Sequence, residues 1–318
     1  MTRYILQRLA LLPLLMVIYS FVIFVIIQAP PGDFLTAYVA TLASSGSSIS
    51  ADQIAALRHQ YGLDLPLWHQ FTRYIGNVVR GDLGRSFQSN QPITQMIQQR
   101  VGPSLSLAGA AFVIVLCIGI PLGMLAGAFT REGRHPKPEL VFMGTTSVLG
   151  AIPDYLTGTF LVFFFAVEWQ LLPVAGQGSF RTLILPALAV SMAPTMTLAR
   201  IVRLETLNVL AQDYIRTARS KRLPPRLIYI RHAFPNVITA ALTVGGLVFA
   251  GIIGGAVIVE NVFARAGLGT ALVQGVLAKD YPVIQGIVMV LGITVVFVNT
   301  VIDIALGIVD PRSLTKQS

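Results

Sequence analysis

LSLAGAAFVIVLCIGIPLGMLAGAF, residues Leu105–Phe129, carries no charged side chain. As a helix rising about 1.5 Å per residue it exceeds the ~30 Å hydrocarbon core of a bilayer. Lipid offers no partner to an open backbone, so such a run is expected to be helical. Five other runs read the same way: Leu9–Ile27, Leu140–Val167, Leu183–Ala199, Val237–Val259 and Val283–Ile302. The fourth run in chain order, Leu183–Ala199, is short and holds Pro186 and Pro194, so it is the weakest of the six. The expected fold is all-α, a polytopic membrane protein with six transmembrane helices.

Composition agrees with that reading. Of 318 residues, 54% are hydrophobic and 12% charged, and mean hydropathy is +0.71. A soluble domain carries about twice that share of charge. The net charge of +9 would elsewhere suggest nucleic acid. Here the Lys and Arg residues sit in short connectors between apolar runs, which is how topology is encoded. Counting them with the N-terminus inside puts fifteen on the cytoplasmic side, including Arg3, Arg8, Arg131, Arg134, Lys137, Arg312 and Lys316. The outer short loops hold only Arg181, Arg265 and Lys279. Both termini are therefore expected in the cytoplasm, with the N-terminal run retained as a span rather than cleaved as a signal peptide.

Three segments follow. Residues 1–29 form the cytoplasmic N-terminus and first span. Residues 30–101 are too long for a connector and read as a helical extracytoplasmic unit packed on the outer membrane face. In this unit Ser50 and Gln53 fit a capping box. A second helix starts near Pro66, with Leu67, Phe71, Ile75, Val78 and Val79 as its apolar stripe. Gly81-Asp82-Leu83-Gly84 reads as a turn, and Ala43–Ser48 as a flexible Gly/Ser insertion. Residues 102–318 form the core, interrupted by a basic cytoplasmic loop, 200–235. Gly119, Gly123 and Gly127 recur on one face of the second span, where they permit close helix–helix packing.

Catalytic chemistry finds no support. His59, His69, His135 and His232 lie in loops or at membrane edges at spacings that match no metal-ligand pattern. Cys117 is the single cysteine and reads as a packing residue. No phosphate-cradling Gly-rich loop with Lys is present, so no ATP site is expected in this chain. An aspartyl protease would need a facing pair, whereas Asp154 is expected mid-membrane and Asp303 near the cytoplasmic end of the last span. An acidic group within a span faces a cavity or a partner. Asp154 and Tyr155, after Pro153, are therefore candidates for a translocation path opened by a kink.

Within the basic loop, Gln212–Arg222 reads as a short helix with Asp213 at its positive end. A second short helix is expected from Arg226 toward Phe234. Tyr214, Ile215 and Ala218 offer a docking surface, and the Arg and Lys residues can meet acidic groups or lipid phosphate.

This loop resembles the ATPase-coupling motif of ABC importer permeases, Glu-Ala-Ala, three residues, Gly, nine residues, Ile-x-Leu-Pro. Arg216-Thr217-Ala218 takes the triplet, Arg222 the glycine, and His232-Ala233-Phe234-Pro235 the last four. Arg222 departs from the pattern, since glycine there normally makes a tight turn, which Leu223-Pro224-Pro225 is expected to supply instead. The chain as a whole is similar to the first permease of dipeptide, oligopeptide and nickel importers, with a type I permease fold. Arg3–Leu9, Pro31-Gly32-Asp33, Tyr61–Leu67, Gly81–Gly84, Asp213–Arg219, Val259–Phe263, Gly267-Leu268-Gly269, Asp280-Tyr281-Pro282 and Asp310-Pro311-Arg312 carry the likeness in order.

The resemblance implies a non-catalytic permease in a bacterial inner membrane. It would pair with a second permease, with two ATP-binding subunits that hold ATP and Mg, and with an extracytoplasmic binding protein. Asp213, Tyr214, Ile215, Arg216, Thr217, Ala218, Arg219, Lys221 and Arg222 would form the ATPase contact. Peptides are the expected cargo, with nickel, glutathione, opines or sugars as alternatives. An ion-coupled secondary transporter would place more ionisable groups in mid-membrane than Asp154 alone.

Overall fold

A computed structural model describes residues 2–28, 39, 50–61, 64–130, 136–176 and 178–309. Outside them lie Pro31-Gly32-Asp33, the Gly/Ser stretch, Gly62-Leu63, Arg131, Arg134, His135, Asp310–Arg312 and Lys316. The side chains of Arg3, Arg8, Leu57 and Tyr61 lie outside them too.

Among the described residues the chain is helical, with one isolated bridge between Arg85 and Pro92. In order come α1 (Thr2–Gln28), α2 (Ala51–Tyr61), α3 (Leu67–Val79), α4 (Ile93–Phe129), α5 (Pro136–Ala151) and α6 (Asp154–Leu161). They are followed by α7 (Arg181–Leu210), α8 (Asp213–Ser220), α9 (Pro225–Val262), α10 (Leu268–Leu277) and α11 (Tyr281–Val309). Four helices are long and apolar enough to cross a membrane: α4, α7, α9 and α11. The bent pair α5 and α6 adds a fifth apolar segment if its halves count as one span, and α1 contains the apolar stretch Ala10–Ile26.

Several boundaries differ from those expected. The third span is not one kinked helix. It breaks at Ile152-Pro153, and its halves meet at 93°, because Pro153 holds an extended backbone, ψ 142°, that cannot continue a helix. After α6, residues Val162–Glu168 widen into a π-helix. The fourth span is thirty residues long rather than short. It is the least apolar of the four because about half of its most apolar stretch is covered by protein rather than lipid, and its two prolines are tolerated where neighbouring helices pack. Its extension to Leu210 takes Arg200 and Arg203 out of the loop and into a helix. The second short helix, 226–234, is not separate either. Pro225–Leu227 runs through a π-turn, Ile228–Ala233, directly into the fifth span. Cys117 is exposed, not packed.

The described chain forms two compact units. Unit 1 comprises residues 1–9, 103–265 and 297–318. Its centre is α7, packed by α9, α5 and α6. The glycine face of α4 lies on α7: a Cβ on Gly119 would meet Leu198, one on Gly123 would meet Ala199 and Val202, and one on Gly127 would meet Thr206. Small residues here replace the hydrophobic drive, absent between helices in lipid, with close packing.

Unit 2 comprises residues 10–102 and 266–296. Unit 2 thus groups most of α1 with α2, α3 and Ala266–Val296. Its apolar centre is Ile93, Ile97, Leu268, Ala271, Val283 and Ile287. The capping box forms as expected, with Ser50 N–H donating to Gln53 Oε1 (3.0 Å) and Gln53 N–H to Ser50 Oγ (3.2 Å). Gly81 and Gly84 take φ of 78° and 82°, which glycine alone adopts without penalty. Asp280 straps the following loop. Its carboxylate accepts from Ser86 Oγ (2.5 Å) and from the N–H groups of Phe87 (3.2 Å) and Gln88 (3.3 Å).

Candidate functional site: a seated surface helix and a broken span

The helix α8 is eight residues long, below what is stable alone in water. It holds because one face is buried. Ile215 is fully buried and Ala218 is 5% exposed, and α8 packs against the π-turn Ile228–Ala233, where Ile228 and Ala233 are buried too. This corrects the expected docking surface. Ile215 and Ala218 seat the helix on its own chain, while Asp213, Tyr214, Arg216, Thr217 and Ser220 face outward. Asp213 stands in the first turn and pairs with Arg216 at 3.7 Å, an exposed pair worth little. Arg219 is partly covered, and Lys221 and Arg222 are exposed. Burial, and after it the Glu205 carboxylate, hold the Tyr214 hydroxyl above its ordinary pKa.

The turn that ends α8 is made by Arg222 itself, not by Leu223-Pro224-Pro225. Arg222 has φ 54°, the left-handed region that glycine favours. Its N–H donates to Arg219 O (2.8 Å), and Leu223 N–H donates to Ala218 O (3.3 Å). Those two bonds are a Schellman C-cap, in which the left-handed position is usually glycine. Arg222 therefore departs from the motif in identity but not in conformation.

The second site is the break in the third span. Asp154 opens α6, where its charge suits the positive helix end. The carboxylate lies against Gly255 of α9, since a Cβ there would collide with it. No cation lies within ion-pair distance of Asp154 among the described residues. Tyr155 is exposed. One turn on, Thr157 Oγ1 is buried without a hydrogen-bond partner among the described residues, as is Thr195 Oγ1 of α7. Gly158 lets α6 approach Phe263.

Two polar clamps in unit 1 were not singled out by sequence. Arg203, 3% exposed, donates to Glu139 (2.6 Å) and Thr130 Oγ1 (3.0 Å). Its place at the end of an apolar run made it look like a loop charge. Glu260, 1% exposed, accepts from Ser104 Oγ at 2.5 Å. Arg265, also buried, donates to Thr182 O (3.4 Å) and Pro103 O (3.3 Å), and the nearby Glu260 charge opposes the lowering of its pKa by burial. Glu260 was visible as part of Val259–Phe263, but a sequence does not say which helices a buried carboxylate ties together. Among the described residues no group of three His, Cys, Asp or Glu could hold a metal ion.

Comparison with known proteins fits this geometry. Residues 119–314 match the family described as binding-protein-dependent transport system inner membrane component. Residues 1–108 match the N-terminal membrane component of the same systems. The dipeptide transport system permease protein DppB of Lactococcus lactis subsp. cremoris is 35% identical, over 98% of this chain and 99% of that one. A putative peptide transport system permease of Brucella abortus is 36% identical with the same coverage. The glutathione transport system permease GsiC of Shigella flexneri is 34% identical over 98% of both. Among solved structures, the inward-facing MetNI methionine ABC transporter aligns with a TM-score of 0.58 and 18% identity, over 69% of this chain and 99% of that one. That likeness shows the fold alone. With family models matching most of its length and relatives matching nearly all of it, this chain belongs to the inner-membrane permease components of binding-protein-dependent ABC importers.

Proposed function

We propose that this chain is the non-catalytic translocation subunit of an ATP-driven peptide importer. It pairs with a second permease and sits above two ATP-binding subunits that hold ATP and Mg. An extracytoplasmic binding protein delivers di- or oligopeptides from the other side. Both termini are cytoplasmic. The observation that carries the reading is α8, a short basic helix too small to fold alone, seated by Ile215 and Ala218 with its polar face turned outward. The relatives named for dipeptide and peptide transport support the cargo.

The mechanism is alternating access. Closure of the ATP-binding subunits pushes on the outward residues of α8, Asp213, Tyr214, Arg216 and Thr217. The seat transmits the push to the π-turn and, through continuous helix, to α9. The populations shift only if these contacts differ between the two states. Asp154 and Tyr155, at the break beside α9, line the path, and the Asp154 carboxylate meets the ammonium end of a passing peptide.

Proteoliposomes holding the whole transporter test this reading. Labelled dipeptide should enter only with binding protein and ATP, and vanadate should stop it. Uptake driven by a proton or sodium gradient without ATP would refute it. Glutathione is the second cargo reading, favoured by the glutathione permease relative. It wins if glutathione competes while dipeptides and oligopeptides do not.

A further inference from the structure

The helix α3 has two apolar flanks but only one is covered. Phe71, 6% exposed, stacks edge-on with Phe21 of α1 at 5.1 Å and meets Phe24 at 5.5 Å. Beside it, Trp68 is 65% exposed and Val79 is 82% exposed. At about 100° per residue these two fall on one line along the helix, with the half-buried Ile75 between them. Arg73 and Arg80 lie on the other side, facing outward.

The uncovered flank is continuous with the exposed apolar face of α1. Trp68 touches Phe71, at 5.9 Å between rings, and Phe71 touches Phe21, itself half exposed. Phe21 belongs to the exposed apolar face of α1, which also includes Ile18, Val22 and Val25. Phe21 stands seven residues before the end of α1 at Gln28, about 10 Å along the helix. An amphipathic helix in a membrane interface buries its apolar face roughly 5–10 Å deep. A tryptophan with its ring in acyl chain and its N–H toward water suits that zone, as does arginine beside lipid phosphate.

We propose that α3 lies in the membrane–water interface on the side of the long loop, with Trp68 and Val79 inserted among lipid acyl chains and Arg80 at the phosphates. The helix thus anchors the outer unit to lipid, whatever the cargo is.

Trp68 reports its own surroundings. The assembled transporter and its Trp68→Phe variant are placed in nanodiscs of phosphatidylcholine, with acyl chains either plain or brominated. The difference in emission between the two proteins belongs to Trp68 and cancels every other tryptophan of the complex. Brominated chains should remove most of this difference, and aqueous acrylamide little of it. Quenching by acrylamide but not by bromine would place Trp68 in water and overturn the proposal. Protection from both would place it under a protein partner and overturn it equally. A Trp68→Phe complex with unchanged yield and ATP hydrolysis shows that the difference is not a folding effect.

Discussion

Leu223 N–H reaches back 3.3 Å to the carbonyl of Ala218 across a left-handed Arg222. This bond closes α8, a short surface helix with its own cap next to a span. Holding a side-chain-bearing residue in that conformation costs about 1–2 kcal/mol. Arg222→Gly should therefore raise the melting temperature of the transporter and leave ATP-dependent uptake intact. Arg222→Val, β-branched, should lower both. Equal melting temperatures for Gly and Val variants would show that the cap does not matter.

The seat of α8 should be intolerant of size. Ala218→Leu overpacks a buried site at a typical cost of about 1–3 kcal/mol, and should lower the stimulation of ATP hydrolysis by loaded binding protein while the chain still inserts. Thr217→Leu, on the outward face, should spare the seat and act only on subunit association. Equal losses of thermal stability from both changes, measured on this chain alone in detergent, would contradict this division.

Gly123 and Gly109 make an internal comparison on one helix. A Cβ at Gly123 would lie 2.5 Å from Ala199 O and 2.7 Å from Val202 Cβ, whereas one at Gly109 meets nothing within 4 Å. Gly123→Ala should lower thermal stability in detergent by an amount typical of overpacking, about 1–3 kcal/mol. Gly109→Ala should be neutral or slightly stabilising.

Glu260 is expected to be structural. Glu260→Ala removes the acceptor of Ser104 and the opposite charge near Arg265. Removing a buried acceptor and leaving its donor unsatisfied costs about 1–3 kcal/mol, which should appear as a lower yield of folded chain. Glu260→Gln, which keeps an acceptor for Ser104, should recover part of it. Wild-type stability in the Ala variant would remove the clamp from the account.

Asp154→Asn should slow uptake of peptides with a free amino end about tenfold, equivalent to ~1.4 kcal/mol of lost attraction. N-acetylated peptides should show a smaller change. Unchanged rates for both would take Asp154 out of the path.

The spans, the capping box and the turn at Gly81–Gly84 were legible because each rests on local physics: apolar length, side-chain caps and glycine torsions. The break at Pro153 was read as a kink, since a sequence shows the proline but not the angle that packing allows. Arg203 was read as a loop charge because its partners, Glu139 and Thr130, are remote in sequence. The direction of Ile215 and Ala218 was missed for a similar reason. An amphipathic helix shows which residues share a face, not whether that face meets its own chain or another protein. Trp68 escaped for the converse reason, since Leu67, Phe71, Ile75, Val78 and Val79 were read as one apolar stripe without it, and only the fold divides the apolar side of the helix into covered and uncovered flanks.

The central claim is that α8 carries the force of ATP binding, and a benzophenone amino acid placed at Thr217 tests it most directly. In the assembled transporter, illumination should join this chain to an ATP-binding subunit, with a yield that changes between nucleotide-free and ATP-bound states. The same group at Val113, exposed on a span, should give no such adduct. If Thr217 yields no adduct with the ATP-binding subunits while the complex remains whole, α8 is not the contact and the account fails.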